Sequence, residues 1–234
     1  IAKLADSKCW MVENLNLAGG KALSANDTDV TSEYISSFST SNNLTKDGNT
    51  IKLPASSTSG FDSVNYSYVY NSGNKENCGA SGQYTPCYSY YSWDATTLGS
   101  GRNLAEHNKD APYSICPKGW RLPTSGNQSS EGWKRGDFYA LATAYGVNLE
   151  NTYYENSATF YNNAGPGTTP NFLLAGAHLN NSLSEAGDRG YYWSSTSYSN
   201  TSFAYDLHFK SNNVNSARNS NRNYGFSVRC LLSE

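Results

Sequence analysis

Three histidines (His107, His178, His208) and five cysteines (Cys9, Cys78, Cys87, Cys116, Cys230) are the side chains of this 234-residue chain best suited to ligate a metal or attack a bond. Their spacing argues against both. No C-x2-C pair occurs and the histidines are scattered, so no zinc site is expected. A hydrolytic triad needs Ser, His and Asp brought together. No G-x-S-x-G is present, and none of the histidines stands in a recognisable catalytic context. Gly99-Ser100-Gly101 and Gly165-Pro166-Gly167 read as turns, because neither opens a helix at the spacing a phosphate loop requires. No catalytic residue, metal or cofactor is assigned.

What remains is the chemistry of contact. From Tyr198 to Asn223 the chain crowds Asn, Ser, Tyr, Asp, His and Arg between the apolar ends "YYWSST" and "GFSVRC". Tyrosine offers area at low entropy cost, and amides and hydroxyls offer adaptable hydrogen bonds. A fixed element on either side would present such side chains on a rigid scaffold. The candidate ligand-binding residues are Tyr198, Asn200, Asp206, His208, Asn213, Asn215, Asn219, Asn221, Arg222 and Asn223. The plainer alternative is a solvated loop.

The bulk composition agrees with an extracellular contact protein. Charged residues make up 15% of the chain and hydrophobic ones 37%, with Ser, Thr, Asn, Gly and 19 tyrosines filling the balance. A net charge of −2 provides no positive field for nucleic acid. No run of about 18 apolar residues would span a bilayer. The opening "IAKLADSKCWMVENLNL" has no apolar h-region and reads as the start of a mature domain inside a longer precursor, with any signal or anchor outside this chain. Cys78 and Cys87 end the loop "CGASGQYTPC", where a local disulfide is expected and buried thiols are the alternative. Cys116 and Cys230 would clip the middle of the chain to its last strand. Cys9 is then the odd cysteine, either buried and reduced or competing for one of the others. An oxidising compartment follows.

The elements that must position the contact residues can be read in outline. A strand is expected around Trp10 and Met11. Residues 21–65 are polar and read as an insertion, with a short helix near Ser32–Phe38. "YSYVY" and "YSYYSW" belong on or beside sheets. In "GDFYALATAYG", Phe138, Leu141, Ala142 and Tyr145 fall on one helical face, with Asp137 as N-cap and Gly146 as the left-handed stop. "AGPGTTPNFLLAG" predicts a turn cluster leading into a short buried strand. "FAYDLHF" alternates, placing Phe203, Tyr205, Leu207 and Phe209 inward and Ala204, Asp206 and His208 outward. "GFSVRC" repeats the pattern with Phe226, Val228 and Cys230 inward. "KSNNVNSARNSNRNY" is too polar for a core and predicts a loop or a solvent-facing strand.

"CWMVENLNL" (9–17), "SICPKGWRLPT" (114–124), "GDFYALA" (136–142), "YYWSST" (191–196), "AYDLHF" (204–209) and "GFSVRC" (225–230) occur in this order. Together they resemble the Fibrobacter succinogenes major paralogous domain, a family of bacterial surface or secreted domains. Part of the pattern is similar to formylglycine-generating sulfatase-modifying domains and to C-type lectin-like domains. The resemblance implies an α+β, C-type lectin-like fold: small twisted antiparallel sheets, one or two helices, and long loops. It implies one domain over 1–234, with a C-terminal display region at 191–230.

The sulfatase-modifying relatives use a late pair of reactive cysteines, whereas here Cys230 is the only cysteine after Cys116, so that activity does not carry over. Calcium-dependent lectins of this fold carry a Glu-Pro-Asn or Gln-Pro-Asp triplet and a later Trp-Asn-Asp. This chain has Thr169-Pro170-Asn171 and Trp193-Ser194-Ser195, without the charge a hard cation needs. Tyr198–Asn223 also resembles the variable stretch of retroelement-diversified proteins. The expected function is non-catalytic recognition or adhesion at a cell surface, toward a protein or glycan ligand. The alternatives are an altered enzyme of the sulfatase-modifying group and a structural envelope component.

Overall fold

The last forty residues, read from sequence as polar display, instead build the centre of the molecule. The computed structural model describes residues 1–15, 43–46, 49–52, 69–71, 89–97, 108–112, 114–116, 119–129, 131–179, 182–200 and 202–233. Within these the protein is mixed α/β, mostly short antiparallel sheets with few helices. The expected helix at Ser32–Phe38 and the Cys78–Cys87 pair lie outside the described residues. Of the polar stretch 21–65, only the hairpin β3 (Asn43–Lys46) and β4 (Asn49–Lys52) is described.

The main sheet runs β11 (Arg189–Ser197), β12 (Phe203–Lys210), β13 (Asn213–Asn221), β8 (Tyr154–Glu155), all antiparallel. Alternation along β12 separates its faces as the sequence suggests, but both faces are covered. On one side Leu207, Phe209, Tyr192 and Val214 pack with Phe138 and Leu141 of the helix Asp137–Ala144 and with Phe160 of the helix Thr159–Ala164. On the other side Tyr191, Trp193 and Ala204 pack against Trp93, Ala177 and Phe226. Two tryptophans stitch this second layer together. Trp193 Nε1 donates to the Tyr91 carbonyl at 2.7 Å, and Trp93 Nε1 donates to the Ser194 carbonyl at 2.8 Å. The hydroxyls after Trp193 do satisfy neighbours, Ser194 Oγ donating to the Tyr205 carbonyl at 2.6 Å.

A second sheet, β1 (Ala2–Lys3), β2 (Cys9–Trp10), β14 (Leu231–Leu232) and β7 (Trp120–Arg121), brings both ends of the chain onto the "GWRLP" segment. Two short pairs complete the described strands: β5 (Val69–Asn71) with β6 (Ser89–Tyr91), and β9 (Ala177–Leu179) with β10 (Ser182–Ser184). Residues 225–227 bridge to β6, β9 and β11 at once.

Four local expectations change. Asp137 is the first helical residue and Gly136 the cap, because the Asp137 carboxylate is engaged elsewhere. The stop at Gly146 is as expected, with φ +90°. Residues 171–176 form no regular strand, although Phe172 is fully buried. The stretch 213–221 is a nine-residue strand with Asn213, Val214, Ser216, Ala217 and Ser220 buried, not a solvated loop. In "GFSVRC" Ser227 and Arg229 are as buried as their apolar neighbours.

The Cys116–Cys230 disulfide forms across 114 residues, and Cys9 is free. Closing so long a loop restricts the unfolded chain, so reduction or Cys116→Ser with Cys230→Ser is expected to cost roughly 2–4 kcal/mol. Urea unfolding with and without reductant checks this. Identical midpoints would show that the link restrains nothing.

Candidate binding surface

The ten candidate contact residues divide by burial. Asp206 is fully buried, and His208, Asn213 and Arg222 are buried as well, so the expectation that these four face solvent is corrected. Tyr198, Asn215, Asn219, Asn221 and Asn223 are half-buried, and Asn200 is exposed. Several serve the fold. Arg222 Nε donates to the Phe203 carbonyl at 2.9 Å, and its guanidinium lies 4.2 Å from the centre of the Trp93 ring. Asn215 Oδ1 accepts from the Ala217 amide at 3.0 Å, and Asn200 Oδ1 accepts from the Ser202 amide at 2.9 Å in the β11–β12 turn.

Asp206 and His208 share the face of β12 that lies under the Phe226 layer. Asp206 pairs in register with Arg218, yet among the described residues neither carboxyl oxygen has a hydrogen-bond partner, and the same holds for Ser220 Oγ, His208 Nε2 and one Arg218 nitrogen. Burial pushes the Asp206 carboxyl up to about 7, against the pull of Arg218 and the Ser220 hydroxyl. Burial holds the His208 imidazole down to about 3, reinforced by the Arg218, Arg189 and Lys210 cations.

Three candidates do come together. Asn219 stands opposite Tyr205, and Asn221 opposite Phe203, so all four project from one face at the end of the sheet. The Tyr198 ring packs on the same two aromatics, 5.2 Å from Tyr205 and 6.2 Å from Phe203. Trp133, stacked edge-on to Tyr153 at 5.8 Å, extends this aromatic floor. The Tyr205 hydroxyl accepts from the Gln128 amide and donates to Asn108 Oδ1, each at 3.2 Å.

Through Asn108 the surface continues into a groove. Residues 109–111 run along the end of β11, with the Ser197 amide donating to the Lys109 carbonyl and the Ala111 amide to the Ser195 carbonyl, both at 2.8 Å. This sets Asp110 beside Thr196, whose Oγ1 donates to Asp110 Oδ1 at 2.6 Å, with Ser195 Oγ donating at 3.3 Å. One cup of about 160 Å³ is lined by Asn108, Asp110, Thr124, Gly126, Asn127, Gly132, Arg135 and Thr196. A second of about 270 Å³ shares Asp110 and Thr124 and adds Ala111, Pro112, Ser114, Arg121, Leu122 and Ser195. Gly126 is required at the first cup: its φ is +65°, and a Cβ there would sit 2.2 Å from the Gly132 carbonyl oxygen.

A buried carboxylate braces the groove wall. Asp137 accepts from Arg121 at 2.6 and 3.2 Å, from Lys8 at 2.6 Å and from the Thr124 amide at 2.8 Å. Burial alone pushes this carboxyl up, but the Arg121, Lys8 and Thr124 bonds outweigh it and hold it at about 2. No groove residue was named as a contact from sequence, although Ser114, Arg121, Leu122 and Thr124 lie in "SICPKGWRLPT" and Ser195 and Thr196 in "YYWSST". Asp110 sits in a polar segment and Arg135 ends a short 3-10 helix (Gly132–Arg135); neither belongs to a motif, and they meet only through tertiary folding. Among the described residues, no group of three or more His, Cys, Asp or Glu side chains could hold a metal, and no helix is long and apolar enough to cross a membrane.

No curated protein and no solved structure matches the chain. A family model described as a domain of unknown function (DUF8237) matches residues 155–231, about a third of the chain. The similarity to that domain thus covers the main sheet and the segment that closes it.

Proposed function

We propose that the chain is a non-catalytic recognition or adhesion module of C-type lectin-like fold, working outside the cell, and that it binds a protein or glycan. Its contact surface is the rim formed by Tyr198, Asn200, Asn219 and Asn221 together with the adjoining groove. One observation carries this reading. The accessible amides and phenols gather at one end of a rigid sheet, and the Tyr205 hydroxyl links them to a polar cleft. The long-range disulfide supports an oxidising compartment. The resemblance to the Fibrobacter succinogenes major paralogous domain supports a surface location. Under the retroelement reading, diversity falls on the rim positions, and the source genome holds a near-identical copy of this stretch differing at adenines.

Arrays of glycans and of purified extracellular proteins supply the test. Tyr198→Ala and Asn221→Ala are expected to weaken binding to the ligand found by about tenfold or more, as for residues central to an interface. Tyr198→Phe keeps the ring packing and separates contact from stability in thermal melts. Unchanged affinity in both alanine variants would remove the rim from the function.

A further inference from the structure

We infer that the groove at Asp110 is a subsite for the hydroxyl groups of a neutral carbohydrate. This rests on the recognition reading above and adds to it the chemical class of the ligand.

The groove's hydrogen-bonding groups are fixed before any ligand arrives. Asp110 Oδ1 is occupied by the Thr196 and Ser195 hydroxyls, while Oδ2 receives no hydrogen bond from the described residues. Asp110 and Thr124 line both cups and so stand at the waist between them. The donors are committed in the opposite sense. Asn108 has its oxygen taken by the Tyr205 hydroxyl, and Asn127 has its oxygen taken by the Ser129 amide at 3.0 Å and hydroxyl at 2.6 Å. Each amide therefore turns its NH2 end to further partners. A fixed carboxylate acceptor beside fixed amide donors suits a ligand group that both donates and accepts, which is a hydroxyl. Two cups sharing one acceptor suit hydroxyls on adjacent carbons or on linked rings.

Charge narrows the class further. The lining holds one carboxylate, Asp110, and one guanidinium, Arg135, while Arg121 is already paired with Asp137, so it carries no net charge to select an ion of either sign. A neutral polyol needs none. Pro112 and Leu122 give the larger cup an apolar wall for the C–H face of a ring. Its Arg121 side is held rigid by Asp137.

The experiment is titration calorimetry of the full chain against neutral and acidic oligosaccharides chosen by a glycan array. Asp110→Asn keeps the Oδ1 acceptor but loses the charge, and is expected to bind the neutral glycan about tenfold more weakly or worse with an unaltered melting temperature. If that variant is destabilised, Asn127→Ala, which removes an amide donor from the smaller cup, provides the same comparison. Wild-type affinity in Asp110→Asn, or a preference for acidic glycans, overturns the subsite. A silent glycan array with a protein ligand that Tyr198→Ala loses also overturns it, and leaves the recognition reading standing. Binding to neither class sinks both.

Discussion

Replacing Arg229 with alanine is expected to lower folding stability by roughly 3–5 kcal/mol, measured by urea unfolding followed through tryptophan fluorescence. The side chain is fully buried, and no carboxylate among the described residues hydrogen-bonds to it. Its guanidinium donates instead to neutral acceptors: Asn14 Oδ1 at 2.7 Å, the Asn171 carbonyl at 2.9 Å and the Pro170 carbonyl. Its plane stacks 4.2 Å above the Phe172 ring. Burial pulls its pKa down, while the nearby Tyr192 and Glu13 pull the other way. Alanine would take the donor from three acceptors, the buried Pro170 carbonyl among them, and leave a cavity on Phe172. Lysine supplies charge but not a planar fork, so Arg229→Lys is expected to recover only a small part of the loss. A lysine variant within about 0.5 kcal/mol of wild type would show that the fork geometry is irrelevant.

Asp206→Asn is expected to stabilise the protein, and increasingly so as pH rises from 4 to 8. The carboxyl moves from an ordinary 3.8 in the unfolded chain to about 7 in the fold, so the folded state prefers it protonated. Below pH 4 both states carry the proton and the ionisation penalty vanishes. Between pH 4 and 7 the unfolded chain ionises freely while the fold resists, and above 7 the whole penalty is present. That penalty is on the order of 4 kcal/mol. Asparagine removes it while keeping shape, and Arg218 retains the Tyr191 ring 5.1 Å from its guanidinium carbon. Tm differences between variant and wild type should widen by about 2–4 °C for each kcal/mol. A difference that stays flat from pH 5 to 8 would mean the buried carboxyl is not held protonated. His208 acts at the acid end: its imidazole must stay neutral in the fold, so stability falls as pH drops below 6.5 toward 3.

These residues also show where sequence reading stopped. The helix at 137–144, the Cys116–Cys230 link and the alternation of β12 were legible because each depends on short-range periodicity or on a covalent partner. The burial of Asp206 and His208 was not. Alternation says which side chains share a face, not whether another layer covers it. Here the cover comes from Trp93, far upstream of β12, and from Phe226, which returns over it after the β13 strand. The same limit hid β13, whose amides and serines look solvated until its central place between β12 and β8 is known. The rim was half legible: Tyr198, Asn219 and Asn221 were named for their chemistry, but the aromatic floor beneath them was not. The Asp110 groove was invisible, because Asp110 and Thr196 meet through a bridge between segments 86 residues apart.

Residues 225–232 touch almost every layer: they bridge β6, β9 and β11, carry Arg229 and Cys230, and then enter the sheet of β2 and β7. During synthesis they emerge from the ribosome after everything they join. The sheet of β2 and β7 cannot finish before they arrive, and the contacts that close it span most of the sequence. The domain therefore closes in one late step on its own last segment, and folding is expected to be slow for its size.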